Sequence, residues 1–298
     1  MGNSLNRLRE QNLSLDSSPE DDSDADASRP PAALTWLRWL TMRIPPIPHA
    51  SGLSNRIVKP FWLRIAREQP VVLPVWGKTR MLLHPADTVG GNLTFIPQLW
   101  DRWERNYIRT WLKPGAVFID VGSNIGAYSL WAAEIVGPAG TVIAIEPDPE
   151  TAEILRRNIA LNRWQSVISV CRMGVSDREE ILLLERPCTG DMGVTRLVSG
   201  CGGGGAPIAC LTLATILRQA GVSRVDMLKI DIEGSETRVL REFFKETQSE
   251  IQLRPEHLLV EFDEGPLSQA DKRSLAELIR ANGYKLVHSG PNAVFRRA

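Results

Sequence analysis

The chain has 298 residues, 43% of them hydrophobic, and its 35 acidic and 35 basic side chains give a formal net charge of zero. This length suits one large domain or two small ones, and the balanced charge argues against a nucleic-acid-binding protein, which usually carries a basic excess. The four cysteines include no CxxC pair and no close Cys/His cluster, so we predict free thiols and no zinc site.

The first 30 residues are polar and acidic, with the run EDDSDAD over 20–26. They contain too little apolar surface to offset the entropy of ordering, so we predict a disordered tail over 1–30. An N-terminal extension over 31–98 and a main domain over 99–298 are expected to follow. We find no start typical of a secretory signal and no apolar run near the ~20 residues of a membrane span, so a cytoplasmic protein is expected.

The segment LTWLRWL over 34–40 predicts a short amphipathic helix, which the prolines shortly after it end. Its tryptophans and arginine are compatible with a peripheral membrane contact by residues 34–44. We favour instead the packing of this helix on the main domain or on a partner subunit.

Further along, short strands are predicted at 71–73 and 81–83, and a helix is predicted at 100–112, where three aromatic side chains recur at near-helical spacing. From residue 117 onward, strands and helices alternate. The predicted elements are a strand at 117–121, a helix at 125–135, a strand at 141–146, a helix at 149–162 and a strand at 167–171. This alternation predicts parallel strands joined by crossover helices.

The alternation breaks after residue 171 and returns near the C-terminus. Additional short strands are predicted at 181–185, 194–198 and 208–213. The glycine-rich segment 200–205 lacks the Gly-Lys-Ser/Thr ending of a phosphate-binding loop, so we interpret it as a plain loop. Strands at 227–231 and 257–262 and helices at 235–245 and 268–281 follow. The last two strands, at 284–287 and 293–295, predict an antiparallel hairpin at a sheet edge.

The turn VFIDVGSNIG at 117–126 joins the first strand of this alternation to its helix. A dinucleotide site reads GxGxxG, whereas here three residues separate Gly122 from Gly126 and the middle glycine is absent. Asp120 stands just before the turn and would repel two phosphates. S-adenosylmethionine has an ammonium, a sulfonium and no phosphate, so this pattern favours it, and the glycines let the backbone approach its amino-acid head.

A second carboxylate, Glu146, ends the next strand 20 residues after Gly126. An acid at about this spacing accepts hydrogen bonds from ribose hydroxyls in Rossmann-like folds. Either Asp120 or Glu146 alone could be a solvated strand end or a helix cap. Together they lie at the carboxyl ends of successive strands, the edge where ligands of open α/β sheets bind.

Three blocks in this order, VFIDVGSNIGAYSL, VIAIEPDPE followed by ILRRNIALN, and MLKIDIEGSE, resemble the FkbM family of S-adenosylmethionine-dependent methyltransferases over about residues 100–262. The resemblance implies an α/β class I methyltransferase fold, which is Rossmann-like and doubly wound. Its mostly parallel seven-stranded sheet ends in a C-terminal antiparallel hairpin. Residues 99–298 would then form the methyltransferase domain.

The resemblance also implies roles for residues of this sequence. Those implied to surround the methionine end of the cofactor are Asp120, Gly122, Asn124 and Gly126. Glu146 would bind the ribose, and the loop near Met173 and Gly174 would approach the adenine. Asp231 and Glu233 would lie beside the methyl-transfer site.

The expected reaction is methyl transfer to a hydroxyl oxygen of a small molecule, a sugar or a lipid-linked glycan. Such a hydroxyl needs a base, and Asp231 and Glu233 are the candidates. Both could instead bond backbone N–H groups at the start of the next helix. Lys229 could contact the substrate or pair with a nearby acid. No histidine is assigned a catalytic role.

The chain departs from the family where Ala214 follows Thr212 and Leu213, because the family often has Asp at that position. Such an Asp could cap the following helix or line the pocket. Its loss gives slight support to a non-catalytic scaffold that binds a partner through the acidic tail and the Trp-rich segment. A nicotinamide-dependent oxidoreductase is disfavoured by the missing middle glycine and by Asp120.

A metal-assisted reaction is a further alternative. Four acids that could supply ligands lie near the carboxyl ends of neighbouring strands: Asp231, Glu233, Glu261 and Asp263. Oxygen ligands of this kind suit magnesium. The sequence does not establish that these side chains converge, and we expect that they do not and that the protein has no metal site.

Overall fold

The computed structural model describes residues 30–43, 70–185, 196–198, 205–262 and 268–298. Almost all of the predicted acidic tail and glycine-rich loop, and the proline-rich segment after the first helix, lie outside these ranges. Of the strand predicted at 194–198, only the last three residues are described.

The described helices fall before, between and after the strands of the sheets. In chain order they are α1 (Ala32–Thr41), α2 (Thr88–Phe95), α3 (Arg102–Trp111), α4 (Ala127–Val136), α5 (Pro149–Leu161), α6 (Leu213–Gln219), α7 (Glu236–Glu246) and α8 (Gln269–Ala281). The strands up to the break in the alternation are β1 (Val71–Trp76), β2 (Thr79–Leu83), β3 (Val117–Val121), β4 (Thr141–Ile145) and β5 (Ile168–Cys171). The remaining strands are β6 (Gly174–Ser176), β7 (Glu180–Glu185), β8 (Arg196–Val198), β9 (Ala206–Thr212), β10 (Met227–Ile230), β11 (His257–Glu261), β12 (Tyr284–His288) and β13 (Asn292–Arg297).

The main sheet has seven strands in the order β12-β13-β11-β10-β3-β4-β5. The five strands from β11 to β5 are parallel, and β13 and β12 add an antiparallel pair at one edge. The chain builds the sheet outward from β3 to β5 and then resumes on the other side with β10, so a switch point lies between β3 and β10. This confirms the predicted doubly wound, mostly parallel sheet with a C-terminal hairpin.

The parallel strands have apolar side chains on both faces, and two hydrophobic cores result. Successive residues of a strand point to opposite faces. Phe118 of β3 therefore joins the first core, which contains residues of α4 and α5. Ile119 joins the second core, which contains residues of α6, α7 and α8. Helices on both faces explain why these strands are nearly continuous apolar runs.

Helix α1 packs on the first core through one face, which confirms the favoured prediction for this segment. Leu34 is fully buried in that core. The guanidinium of Arg38 is buried and donates to the backbone carbonyls of Pro74, Leu93 and Thr94. The large exposed side chains of the helix and of the residue after it are Trp36, Trp39, Leu40 and Met42. Among the described residues, no helix is long and apolar enough to cross a membrane.

Asn158 of α5 and Asn162, the residue after its end, hold the hairpin formed by β1 and β2. The side-chain oxygen of Asn158 accepts from the backbone N–H of Leu82 at 2.6 Å, and its amide nitrogen donates to the carbonyls of Leu82 at 3.4 Å and Ile125 at 2.9 Å. One turn later, Asn162 accepts from Arg80 N at 2.8 Å and donates to Arg80 O at 2.6 Å. Asn158 thus connects the hairpin to the turn that follows β3.

The expectation of a loop at Met173 and Gly174 is wrong in part, because Gly174–Ser176 forms strand β6. It pairs in parallel with β9 and belongs to a second sheet in the order β6-β9-β7-β8. A Cβ atom on Gly174 would lie 2.4 Å from the Sγ atom of Cys210. Glycine here allows the close packing of β6 on β9.

Helix α2 is absent from the sequence-based prediction because Gly90 and Gly91 lower its helix propensity. A Cβ atom on Gly90 would lie 2.2 Å from the carbonyl oxygen of His84. The glycine therefore allows two backbone segments to approach each other, which a pattern of residue types along the chain does not reveal.

Candidate functional site

The turn after β3 has a backbone that only particular residues accept. Gly122, Asn124 and Gly126 all have positive φ, at 76°, 50° and 92°. A Cβ atom on Gly122 would lie 1.8 Å from the carbonyl oxygen of Asp231. The turn therefore lies against the end of β10, at the switch point of the sheet. Since Gly126 precedes the first residue of the helix, α4 begins two residues later than predicted.

Glu146 follows β4 and lies directly beside this turn. It is 6% exposed, its Oε2 accepts from the backbone N–H of Asn124 at 2.9 Å and its Oε1 accepts from that of Asp148 at 3.0 Å. Burial raises the pKa of this carboxyl to about 7, against the lowering effect of the two N–H donors. Each carboxylate oxygen has a second lone pair, so the group can still accept from a hydroxyl.

Asp120, near the end of β3, is almost completely buried. Its Oδ2 accepts from the hydroxyl of Ser129 at 2.6 Å, whereas its Oδ1 is buried without a hydrogen-bond partner. Burial raises its pKa, and the ammonium of Lys229, which is paired with it in register on β10, opposes that rise. The end of β3 thus contains an unsatisfied buried acceptor, which suits a positively charged ligand head such as that of S-adenosylmethionine.

Met173 and Gly174 lie beyond the end of β5. Met173 is completely buried in the second core, and Gly174 is held in β6 against Cys210. The side chain of Met173 is buried and Gly174 has none. A contact of this segment with the adenine would therefore involve its backbone or follow a local rearrangement.

Three carboxylates converge at the ends of β10 and β11. One ligand-type oxygen each from Asp231, Glu233 and Glu261 lies within 4.8 Å of the others. The expectation that these side chains do not converge is therefore wrong for these three, and Asp263 lies outside the described residues. The physical reason is the sheet register, because Ile230 pairs with Val260 in parallel, so that Asp231 and Glu261 end neighbouring strands side by side.

A buried lysine provides the counter-charge for these acids. The Nζ atom of Lys229 lies 2.8 Å from Oδ2 of Asp231 and 4.8 Å from the ring centroid of Tyr128, and the residue is 3% exposed. Burial acts to lower the pKa of Lys229, but the negative charges of Asp231 and Asp120 raise it by more. The net shift is therefore upward, and the side chain remains an ammonium. Of the two roles considered for Lys229, the structure shows pairing with a nearby acid.

The pKa values of the two strand-end carboxyls are shifted in opposite directions. Burial raises the pKa of Glu261, and the negative charge of Asp231 adds to the rise, which favours the protonated form of Glu261. Burial also acts to raise the pKa of Asp231, but Lys229 and a hydrogen bond from Glu261 outweigh it and lower the pKa. Asp231 is thus an ionised carboxylate between an ammonium and a carboxylic acid.

Oxygen ligands grouped like these three could in principle hold a divalent cation. The ammonium of Lys229 already contacts Asp231 at 2.8 Å and would repel a cation placed there. Burial and the charge of Asp231 raise the pKa of Glu261, so this carboxyl tends to keep its proton in the cation-free cluster. The contact of Lys229 with Asp231 is thus the structural feature that disfavours a cation here.

The backbone role considered for Asp231 and Glu233 is performed by another residue. Oε1 of Glu236, in the first turn of α7, accepts from the backbone N–H groups of Ile232 at 2.9 Å and Gly234 at 3.3 Å. The turn itself places Glu233 at φ 55°. A left-handed backbone at a residue other than glycine costs about 1–3 kcal/mol and is common at functional sites.

Residues near the start of α3 complete the site and have no signal in the sequence. Asp101 precedes the helix at φ 40°, so α3 begins at Arg102 and not at residue 100 as predicted. Its Oδ2 accepts from the hydroxyl of Tyr128 at 2.7 Å. Burial raises the pKa of Asp101 and also that of Glu104, which reaches about 7 while Asn292 donates to it.

The structure explains how the chain accommodates Ala214 at the position where the family often has Asp. Oγ1 of Thr212 accepts from the backbone N–H of Thr215 at 3.3 Å and so caps α6. Ala214 is fully buried in the second core. The capping function expected of an Asp is therefore performed two residues earlier.

Comparisons with known proteins agree with this architecture. Residues 120–286 match the family model of the methyltransferase FkbM domain. The chain is 27% identical over 159 residues to the methyltransferase sdnD of Sordaria araneosa, which covers 44% of this chain and 61% of that protein. It is 29% identical over 181 residues to the 31-O-demethyl-FK506 methyltransferase FkbM of Streptomyces tacrolimicus, which covers 46% of this chain and 64% of that protein. The matches thus span less than two thirds of the length of these relatives.

Solved structures with similar folds are more distant. A SAM-dependent O-methyltransferase from Thermotoga maritima is 12% identical with a TM-score of 0.39, over 66% of this chain and 65% of that one. The fibrillarin of Aeropyrum pernix, in complex with natively bound S-adenosyl-L-methionine, is 13% identical with a TM-score of 0.38, over 65% of this chain and 73% of that one. Because the family model covers more than half of the sequence and the predicted fold is present, the chain belongs to the FkbM family of S-adenosylmethionine-dependent methyltransferases.

Proposed function

We propose that this methyltransferase acts on a hydroxyl oxygen of a small-molecule acceptor, such as a small metabolite, a sugar or a lipid-linked glycan. The observation that carries this proposal is the ionised Asp231, held between Lys229 and the protonated Glu261 beside the glycine turn. A carboxylate there can accept the proton that the hydroxyl loses. One relative is named for an O-demethyl substrate, which supports an oxygen acceptor.

The cofactor is assigned to the edge of the sheet around β3 and β4. The residues proposed to contact it are Asp120, Gly122, Asn124, Gly126, Glu146, Met173 and Gly174. When bound, S-adenosylmethionine supplies an electrophilic methyl carbon on a positively charged sulfur. The positive φ values of the turn and the unsatisfied Oδ1 of Asp120 support the placement of the amino-acid head there.

Asp231 is the proposed proton acceptor. With the donor bound, the acceptor hydroxyl would lose its proton to the Asp231 carboxylate as its oxygen bonds to the methyl carbon, and the carbon–sulfur bond would break to release S-adenosylhomocysteine. The lowered pKa makes Asp231 a weak base, but an oxygen that has gained a methyl group is strongly acidic, so a weak base suffices late in the step. Lys229 and Glu261 fix the orientation of the carboxylate.

Glu233 is the second candidate for this role, since it lies in the same cluster. Its strained backbone at φ 55° supports a functional reason for its position. Ala214 does not support the alternative of a non-catalytic scaffold, because Thr212 caps α6 without an Asp at position 214.

The direct test is transfer of a labelled methyl group from S-adenosylmethionine to metabolite fractions, comparing the wild type with Asp231→Asn. We expect transfer to fall by roughly 10²- to 10⁴-fold, the usual contribution of a general base. The affinity for S-adenosylmethionine, measured by calorimetry, should change little. Glu277→Gln, an exposed substitution on α8, is the matched control and should leave both quantities unchanged.

Loss of the Asp231 charge leaves Lys229 with a weaker partner, so folding must be checked by circular dichroism before rates are compared. Full transfer by a folded Asp231→Asn protein would contradict the base assignment. If Glu233→Gln alone abolished transfer, Glu233 would be the base.

A further inference from the structure

A cleft on the surface of α3 and α4 is lined by no residue of the carboxylate cluster or of the glycine turn. Its volume is about 660 Å³, and six of its lining residues determine its chemistry: Trp76, Arg102, Arg105, Arg109, Trp131 and Glu134. This volume falls within the range of small-molecule sites. The methyl donor needs no phosphate-binding site, so the cofactor leaves this cleft unexplained.

Three arginines of α3 share one face of the helix and line the cleft. Arg102, Arg105 and Arg109 are three, four and seven residues apart, which places them in one row along the helix. Within the described part of the chain, neither Arg102 nor Arg109 is paired with a carboxylate, and Arg109 donates only to the side-chain oxygen of Asn106 at 3.0 Å. Both side chains are exposed and available to a ligand.

Arg105 is fixed at the floor of the cleft. It is 7% exposed and donates to the backbone carbonyls of Trp100 at 2.8 Å, Pro97 at 3.1 Å and Gln98 at 3.3 Å. Its guanidinium carbon lies 4.5 Å from the ring centroid of Trp76 and 5.4 Å from that of Trp131. These contacts hold a positive charge in place at the floor of the cleft, and the nearby carboxyls of Asp101 and Glu104 offset only part of its attraction for anions.

The opposing charge in the cleft is small. Glu134 is the acidic lining residue, and its Oε2 accepts from the hydroxyl of Thr79 at 3.0 Å. Among the lining residues, three guanidinium groups face one carboxylate, and outside the lining Asp101 and Glu104 offset part of the charge of Arg105. The nearby indole rings of Trp76 and Trp131 add apolar surface to the cleft.

We propose that this cleft is a second binding site, which takes a small molecule bearing phosphate or carboxylate groups. The oxyanion would lie between Arg102 and Arg109, with Arg105 providing a fixed positive charge beneath it. Guanidinium groups bind phosphate and carboxylate through paired hydrogen bonds, and the indole surfaces would contact the apolar part of the molecule. None of the residues that would hold this molecule belongs to the proposed cofactor contacts or to the carboxylate cluster.

The test is calorimetric titration of the full chain, at low ionic strength, with inorganic pyrophosphate and separately with tricarballylate. We expect binding that weakens with added salt, because the ligand is held by charge. Arg102→Gln combined with Arg109→Gln should weaken it by about tenfold or more, since charge-assisted hydrogen bonds are lost. Binding of pyrophosphate alone would identify a phosphate ligand, and binding of both probes would identify a general oxyanion site.

The matched control is Arg273→Gln combined with Arg280→Gln, which removes two exposed arginines with the same seven-residue spacing from α8. This control should bind the probes as the wild type does. Absence of binding of either probe to the wild type would overturn the proposal, as would an equal loss in both double variants. Affinity for S-adenosylmethionine, measured in the same samples, reports separately on the cofactor site.

Discussion

At the scale of single residues, Glu146 combines burial with a position beside the turn that follows β3. Its two oxygens accept from backbone N–H groups, and burial nevertheless raises its pKa to about 7. The raised pKa means that folding favours the protonated acid. The stability that this group contributes is complete below about pH 4.5, its unfolded value, and is lost as the pH rises through 7.

The same pKa predicts a pH dependence of cofactor binding. If the Glu146 carboxylate accepts from the ribose hydroxyls, affinity for S-adenosylmethionine should rise between pH 6 and pH 8, as the acid loses its proton, and then level off. Glu146→Gln should lower the affinity by roughly tenfold to a hundredfold at pH 8, since a hydrogen bond to a charged group contributes ~1.5–3 kcal/mol. It should also flatten the profile. Calorimetry across this pH range checks both effects, and an unchanged affinity in folded Glu146→Gln would remove Glu146 from the ribose site.

The residues of the site differ in how far the sequence could reveal them. Asp120, Gly122 and Gly126 lie within one strand and one turn, where local pattern and backbone conformation coincide. The bond from Tyr128 to Asp101 joins residues 27 positions apart, and Asp231 meets Glu261 only through the register of β10 and β11. Such contacts depend on the tertiary structure, and the local sequence pattern does not predict them.

At the scale of elements, α5 does more than cross over from β4 to β5. Asn158 continues the hydrogen bonding of β2 with its side chain and reaches the carbonyl of Ile125 in the glycine turn. The sequence predicts α5 correctly from its apolar spacing and from Pro149 in its first turn. It does not predict the hairpin contact, because a buried asparagine in a helix has the same local pattern whatever it bonds to.

We expect Asn158→Ala to lower the free energy of unfolding by about 2–4 kcal/mol, because it leaves buried backbone groups of Leu82 and Ile125 without a partner. It should also weaken binding of S-adenosylmethionine, since Ile125 belongs to the glycine turn. Asn162→Ala removes the same type of bond from the more exposed Arg80 and should cost less. Denaturant unfolding and calorimetry measure the two effects, and an Asn158→Ala protein as stable as the wild type would contradict this role.

At the scale of the whole molecule, the parallel sheet and its two cores were predictable, because alternating apolar strands and amphipathic helices determine a doubly wound fold. The second, four-stranded sheet was predictable only as isolated short strands, since its pairing includes the parallel contact of β6 with β9. The proposed boundary between residues 98 and 99 follows the start of the family resemblance at about residue 100. Leu34, Leu73 and Leu93 nevertheless share the first core with Phe118 and Val142.

That shared core predicts a single cooperative unfolding transition for α1, the β1–β2 hairpin and the main sheet. Far-ultraviolet circular dichroism reports mainly on the sheet and its helices, whereas tryptophan fluorescence reports mainly on residues up to 164, where all nine tryptophans occur. The two denaturation curves should therefore coincide. Separate midpoints would contradict a single cooperative transition.

The burial of Lys229 has one last chemical consequence. An amine must lose a proton before its nitrogen can attack a carbonyl carbon, and here Asp231 and Asp120 keep that nitrogen protonated beneath the surface. Imine formation at this position is thereby suppressed. An acceptor that carried an aldehyde or a ketone next to its hydroxyl would not become covalently trapped on the protein.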